Sequence, residues 1–74
     1  MANQLNCSGL KCPIPIIKTA TAIKNISVGS VLEVTATDPA FKIDIESWCN
    51  KTGNILISIE KREFLTIASI KKCH

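Results

Sequence analysis

Two prolines one residue apart, Pro13 and Pro15, restrict this chain more than any other feature. Proline has no N–H to donate and its ring clashes with the preceding turn, so a helix accommodates it only in the first turn, where N–H groups lack helical partners. The pair therefore predicts a helix from about Pro13 to Asn25, with no later proline to interrupt it. Along it, Ile16, Ile17, Ala20 and Ile23 recur at helical spacing and are expected to pack, while Lys18, Thr21 and Lys24 face water.

The segments on either side have a different periodicity. Gln4 to Cys7 reads as a short strand, followed by a loop through Ser8-Gly9-Leu10-Lys11. After Val28-Gly29, Val31 to Ala36 is a run of apolar and β-branched residues suited to a strand. Asp38-Pro39 predicts a second helix start, with the Asp38 carboxylate as cap and Pro39 as first helical residue. Phe41, Ile45, Trp48 and Cys49 form its apolar stripe, and Gly53 suits a left-handed cap. Ile55, Ile57 and Ile59 alternate with Leu56, Ser58 and Glu60 as in a half-buried strand. Lys61-Arg62-Glu63 is expected to turn the chain into a last strand from Phe64 to Lys71, where Leu65 and Ile67 compete with Phe64 and Ile70 for the inward face.

The element order is β-α-β-α-β-β, and the expected class is α+β. The architecture is a two-layer α/β sandwich: a four-stranded mixed sheet with two helices on one face and the other face open. With 74 residues the chain has room for one core, so residues 1–74 are read as a single domain, its packing supplied largely by twelve isoleucines. The opening Met1 to Leu5 lacks the basic start and apolar stretch of an export signal, so the expected compartment is the cytoplasm. There Cys7, Cys12, Cys49 and Cys73 would be kept reduced rather than paired as disulfides. No apolar run approaches the roughly 18 residues that span a bilayer, so no membrane partner is expected. The net charge of +3 comes from basic residues that are scattered apart from Lys61-Arg62 and Lys71-Lys72. With one tryptophan and two phenylalanines, the chain lacks the basic stripe and stacking platform of a nucleic-acid binder, and direct nucleic-acid binding is not expected.

The stretch Gly9-Leu10-Lys11-Cys12-Pro13-Ile14-Pro15 carries the candidate chemistry. A cysteine just before a helix-starting proline falls at the N-cap, where converging N–H dipoles favour an anion. On this reading Cys12 is poised as a thiolate, Lys11 adds a positive charge beside it, and Pro13 and Pro15 fix the direction in which the sulfur is presented. The alternative is a small, inert, buried thiol that fills the core.

Asn6 to Pro15 resembles the signature of the TusA/SirA family, whose centre is Gly-x-x-Cys-Pro-x-Pro. Thr37-Asp38-Pro39-Ala40, Asp44-Ile45 and Trp48-Cys49 are similar to that family's segment before and along its second helix. The resemblance covers nearly the whole chain and implies the same sandwich. It also implies a sulfur carrier whose motif cysteine, here Cys12, takes sulfane sulfur as a persulfide from a donor protein of cysteine desulfurase or rhodanese type. A downstream acceptor protein would then receive it, in tRNA thiolation, cofactor biosynthesis or sulfur metabolism. Such a chain is a sulfurtransferase only in that sulfur rests on Cys12 between partners, and it needs no cofactor. Residues expected to tune the thiolate or meet partners are Lys11, Pro13, Pro15, Asn6 and Asp38. The chain departs from the family at Asn6, often an aspartate there, and at Lys11, often an arginine.

Cys49 is a possible secondary sulfur-handling thiol, yet it shares the packing stripe of Phe41 and Ile45. Cys7, Cys73 and His74 lack the spacing of paired zinc ligands, so no metal site is expected. His74 is the only histidine and stands last, which disfavours a Cys-His hydrolase. Asp38 and Asp44 read as cap and surface charge rather than an acid/base pair. The rival to a carrier is a non-catalytic regulatory module that binds protein or RNA through the open sheet face. A redox sensor would need a resolving thiol near Cys12, and Cys7 is the nearest in sequence.

Overall fold

A computed structural model describes residues 3–74; Met1 and Ala2, part of the opening read for an export signal, lie outside the described residues. The elements are β1 (Asn3–Cys7), α1 (Ile14–Ile23), β2 (Val31–Ala36), α2 (Phe41–Thr52), β3 (Ile55–Arg62) and β4 (Leu65–Lys71). This is the expected β-α-β-α-β-β order. The four strands form one mixed sheet in the order β1-β2-β4-β3. β1 lies parallel to β2, with Cys7 opposite Ala36, while β4 is antiparallel to both β2 and β3.

Both helices pack on one face. Leu32, Val34 and Ala36 of β2 and Ala68 and Ile70 of β4 point into the same core as Ile23 of α1 and Phe41, Ile45 and Cys49 of α2. Phe41 and Ile45 are fully enclosed, and each such side chain contributes about 1.5–3 kcal/mol by leaving water. The other sheet face is open and polar, and Arg62 on β3 pairs with Glu60 at 3.2 Å. Among the described residues no helix is long and apolar enough to cross a membrane.

Three local expectations change, and one open choice is decided. The first helix spans Ile14–Ile23, and its inward face is Pro15, Thr19 and Ile23, while Ile17 is exposed. Thr19 is tolerated in the core because its hydroxyl donates to the Pro15 carbonyl at 2.7 Å. In β3 the simple alternation fails: a bulge between Leu56 and Ser58 leaves Ile55 and Ile57 exposed, and Leu56 and Ile59 pack against the core. The hairpin turn is Glu63-Phe64, because Arg62 still pairs with Leu65, and Glu63 takes a left-handed φ of 52°. Along β4 the competition for the inward face is won by Thr66, Ala68 and Ile70.

Because β1, β2 and β3 run the same way, their C-terminal ends share one edge of the molecule with the β3–β4 turn. The loop before α1 and the segment before α2 leave from that edge, and the candidate chemistry lies there.

Candidate functional site

The loop that carries Cys12 is tied down by backbone groups. Gly9 adopts φ 81°, a left-handed conformation that glycine enters without strain, and its N–H donates to Thr37 Oγ1 at 2.9 Å. Leu10 N–H donates to the Cys7 carbonyl at 3.2 Å, and Ser8 N–H to Asn6 Oδ1 at 2.9 Å. Asn6 therefore acts here as a turn former at the end of β1.

Asp38 joins the two halves of the site. Its Oδ2 accepts from Cys12 N–H at 3.2 Å, and its Oδ1 accepts from Ala40 N–H at 2.8 Å. One carboxylate thus holds the cysteine loop against the segment leading into α2. The cap expectation is corrected: the N-cap of α2 is Ala40, Asp38 stands two residues earlier, and Pro39 lies before the helix.

The placement of Cys12 is corrected as well. Pro13 is the N-cap of α1 and Pro15 lies in its first turn, so Cys12 precedes the cap by one residue. The Cys12–Pro13 peptide is cis. Lys11 and Pro13 are exposed and Pro15 is buried, with Ile14 N–H donating to the Lys11 carbonyl at 2.9 Å.

Cys12 itself is half-buried and packs against the core cluster. Burial raises its pKa, hydrogen bonding to Asp44 and the Asp44 charge add to this, and the Asp38 charge contributes last, bringing it from 9.0 to about 11. The structure does not favour the expected thiolate: burial, the largest cause, and then the Asp44 and Asp38 carboxylates favour the neutral thiol. Asp44, expected from the sequence to be a surface charge, instead stands on α2 near enough to the thiol to raise its pKa. Pro13, the N-cap of α1, and Ile16 of α1 face Asp44, Ser47, Trp48 and Lys51 of α2 across a shallow groove of about 310 Å³.

The other thiols sit elsewhere. Cys7 is fully enclosed at the end of β1, and Cys49 is 4% exposed in the core, where burial pushes it up to about 11. Cys73, half-buried, lies beyond β4, its N–H bonded to Asn54 Oδ1 at 3.0 Å. All four cysteines are free thiols.

The family model described as Sulfurtransferase TusA matches residues 3–72. The chain belongs to the TusA family. It is 34% identical over 68 residues to the sulfur carrier protein TusA of Pseudomonas putida, covering 92% of this chain and 85% of that protein. A relative from Aquifex aeolicus is 47% identical over 68 residues, which is 92% of this chain but 34% of that protein. This chain thus spans about a third of the length of the longer relatives it matches. The crystal structure of a SirA-like protein from Desulfitobacterium hafniense superposes with a TM-score of 0.83 over the whole of both chains at 20% identity, and shows the same fold.

Proposed function

We propose that this TusA-family chain is a sulfur carrier that holds sulfane sulfur as a persulfide on Cys12. The observation that supports this reading most is the treatment of the cysteines: Cys7 and Cys49 are sealed in the core, while Cys12 is only half-buried, on a loop fixed by Asp38 and Thr37 and next in sequence to Pro13, which lines a groove. Relatives named as sulfur carriers point the same way.

The transfer requires the Cys12 sulfur, once it has lost its proton, to attack the terminal sulfur of a donor persulfide. The donor S–S bond breaks, a new S–S bond forms on Cys12, and the departing donor thiolate takes up the proton. A second thiolate or an activated acceptor later removes the terminal sulfur by the same displacement. Donor and acceptor are proteins, the donor of cysteine desulfurase or rhodanese type, and no cofactor takes part. The cytoplasm, where thiols stay reduced, suits this chemistry.

The test is intact-mass analysis after incubation with a cysteine desulfurase and cysteine. Wild type, Cys49→Ser and Cys73→Ser should each gain one reducible sulfur that maps to the peptide containing Cys12, and Cys12→Ser should gain none. Charging of Cys12→Ser to the wild-type extent would refute the assignment.

A further inference from the structure

A second groove opens at the same edge of the molecule, where α2 begins and the β3–β4 hairpin ends. It encloses about 400 Å³. Pro39 and Lys42 line it from the side of α2, Lys61 and Phe64 from the hairpin, and Ile59 and Thr66 from the sheet. Thr37 also borders it, and the Thr37 hydroxyl is the group that holds Gly9 of the cysteine loop, so the groove is continuous with the frame of Cys12.

Two features of this groove lack an internal explanation. Phe64 is 84% exposed at the hairpin tip, where burying it against a partner would remove a large apolar surface from water. Among the described residues, neither Lys42 nor Lys61 makes an ion pair or side-chain hydrogen bond, although Arg62 beside them is paired with Glu60. Two unpaired cations thus flank an apolar patch formed by Phe64, Ile59 and Pro39.

We propose that this groove docks an acidic segment of a protein partner, which sets one large apolar side chain against Phe64 and Ile59 and carboxylates against Lys42 and Lys61. The identity of the partner, a protein that loads or unloads Cys12, rests on the carrier reading above. RNA is the poorer fit: two lysines are too few to follow a phosphate backbone, and the Glu63 carboxylate also lines the groove and repels phosphate. The same Glu63 restricts where carboxylates can sit and so favours an apolar residue beside the hairpin tip. Complementary charge at such a rim chiefly speeds encounter and excludes wrong partners.

The direct test is an amide-shift titration of the full ¹⁵N-labelled chain with three probes: a capped peptide with one leucine flanked by aspartate and glutamate, the same peptide with lysines in place of the acids, and a short oligouridine. Saturable shifts at Lys42, Ile59, Lys61 and Phe64 are expected with the acidic peptide alone. The double variant Lys42→Glu/Lys61→Glu should weaken that binding about tenfold, a loss of about 1.4 kcal/mol, with its remaining amide shifts showing an intact fold. Absence of saturable shifts there, binding indifferent to the charge reversal, or tighter binding of oligouridine would overturn the proposal. In a second arm, the double variant should raise the carrier concentration that half-saturates charging by a cysteine desulfurase, and leave charging by glutathione persulfide unchanged. An equal loss with both donors would overturn the docking role. If Cys12 is never charged, the carrier reading fails, and the peptide titration still decides the groove.

Discussion

Asp44→Asn should make Cys12 more acidic. The asparagine keeps the size of the side chain and removes the charge, so two of the four influences that raise the pKa, the hydrogen bond to the carboxylate and its Coulomb field, are lost together. Burial, the largest influence, and the Asp38 charge remain, so the pKa should fall from about 11 toward 9.0 without reaching it. At pH 7 a thiol with a pKa of about 11 is ionised in about one molecule in 10⁴, and one at 9.0 in about one in 10². The variant should lie between these limits, a several-fold gain in thiolate. The assay is the pH dependence of iodoacetamide alkylation, followed by mass on the Cys12 peptide, with the slow reaction of buried Cys49 as internal reference. An unchanged or raised midpoint would refute the view that Asp44 holds the proton on this sulfur.

Other outcomes follow from packing and backbone geometry. Cys49 has a folded pKa of about 11 against 9.0 unfolded, so the unfolded chain loses its proton first. Its contribution to stability is fully present below about pH 9 and is lost as pH rises toward 11; Cys49→Ala should flatten that alkaline fall in chemical denaturation. Gly53 closes α2 with φ 79°, and a Cβ there would also come within 2.6 Å of His74 Nε2, at the movable end of that side chain. Gly53→Ala should therefore cost about 1–2 kcal/mol through left-handed strain, read as a lowered melting temperature, and removing His74 should not restore it. Phe41→Ala empties a fully enclosed site and should cost about 3–5 kcal/mol, much of the stability of so small a fold, measured by urea unfolding.

What the chain spells out is its periodicity and its backbone exceptions. Phe41, Ile45 and Cys49 were legible as a buried stripe because their spacing fits one helix face, and Gly53 because a helix end favours a residue free of left-handed strain. Cys12 stood out through its prolines. Thr19 was hidden because it enters the core only by bonding its hydroxyl one turn back, at the expense of the more apolar Ile17. The bulge at Ile57 was hidden because three isoleucines at alternate positions imitate a regular strand. Asp44 was hidden for a different reason: its effect on Cys12 depends on how α1 and α2 lie against each other, and local sequence does not describe that.

A neutral resting thiol is compatible with carrying sulfur once the empty and loaded forms are treated separately. Oxidation and stray alkylation track thiolate character, so a proton held by burial and by Asp44 and Asp38 keeps empty Cys12 slow toward both. A partner cation that paired with Asp44 would remove that part of the hold, which would tie reactivity to docking. Loading then moves the reactive atom. On the carrier reading the added sulfur would lie about 2 Å beyond the cysteine sulfur, so the groups that raise the Cys12 pKa would act on it from a different distance. The restraint placed on the empty thiol is therefore not the one that would act on the sulfur to be handed on, and a neutral resting thiol does not exclude a reactive loaded form.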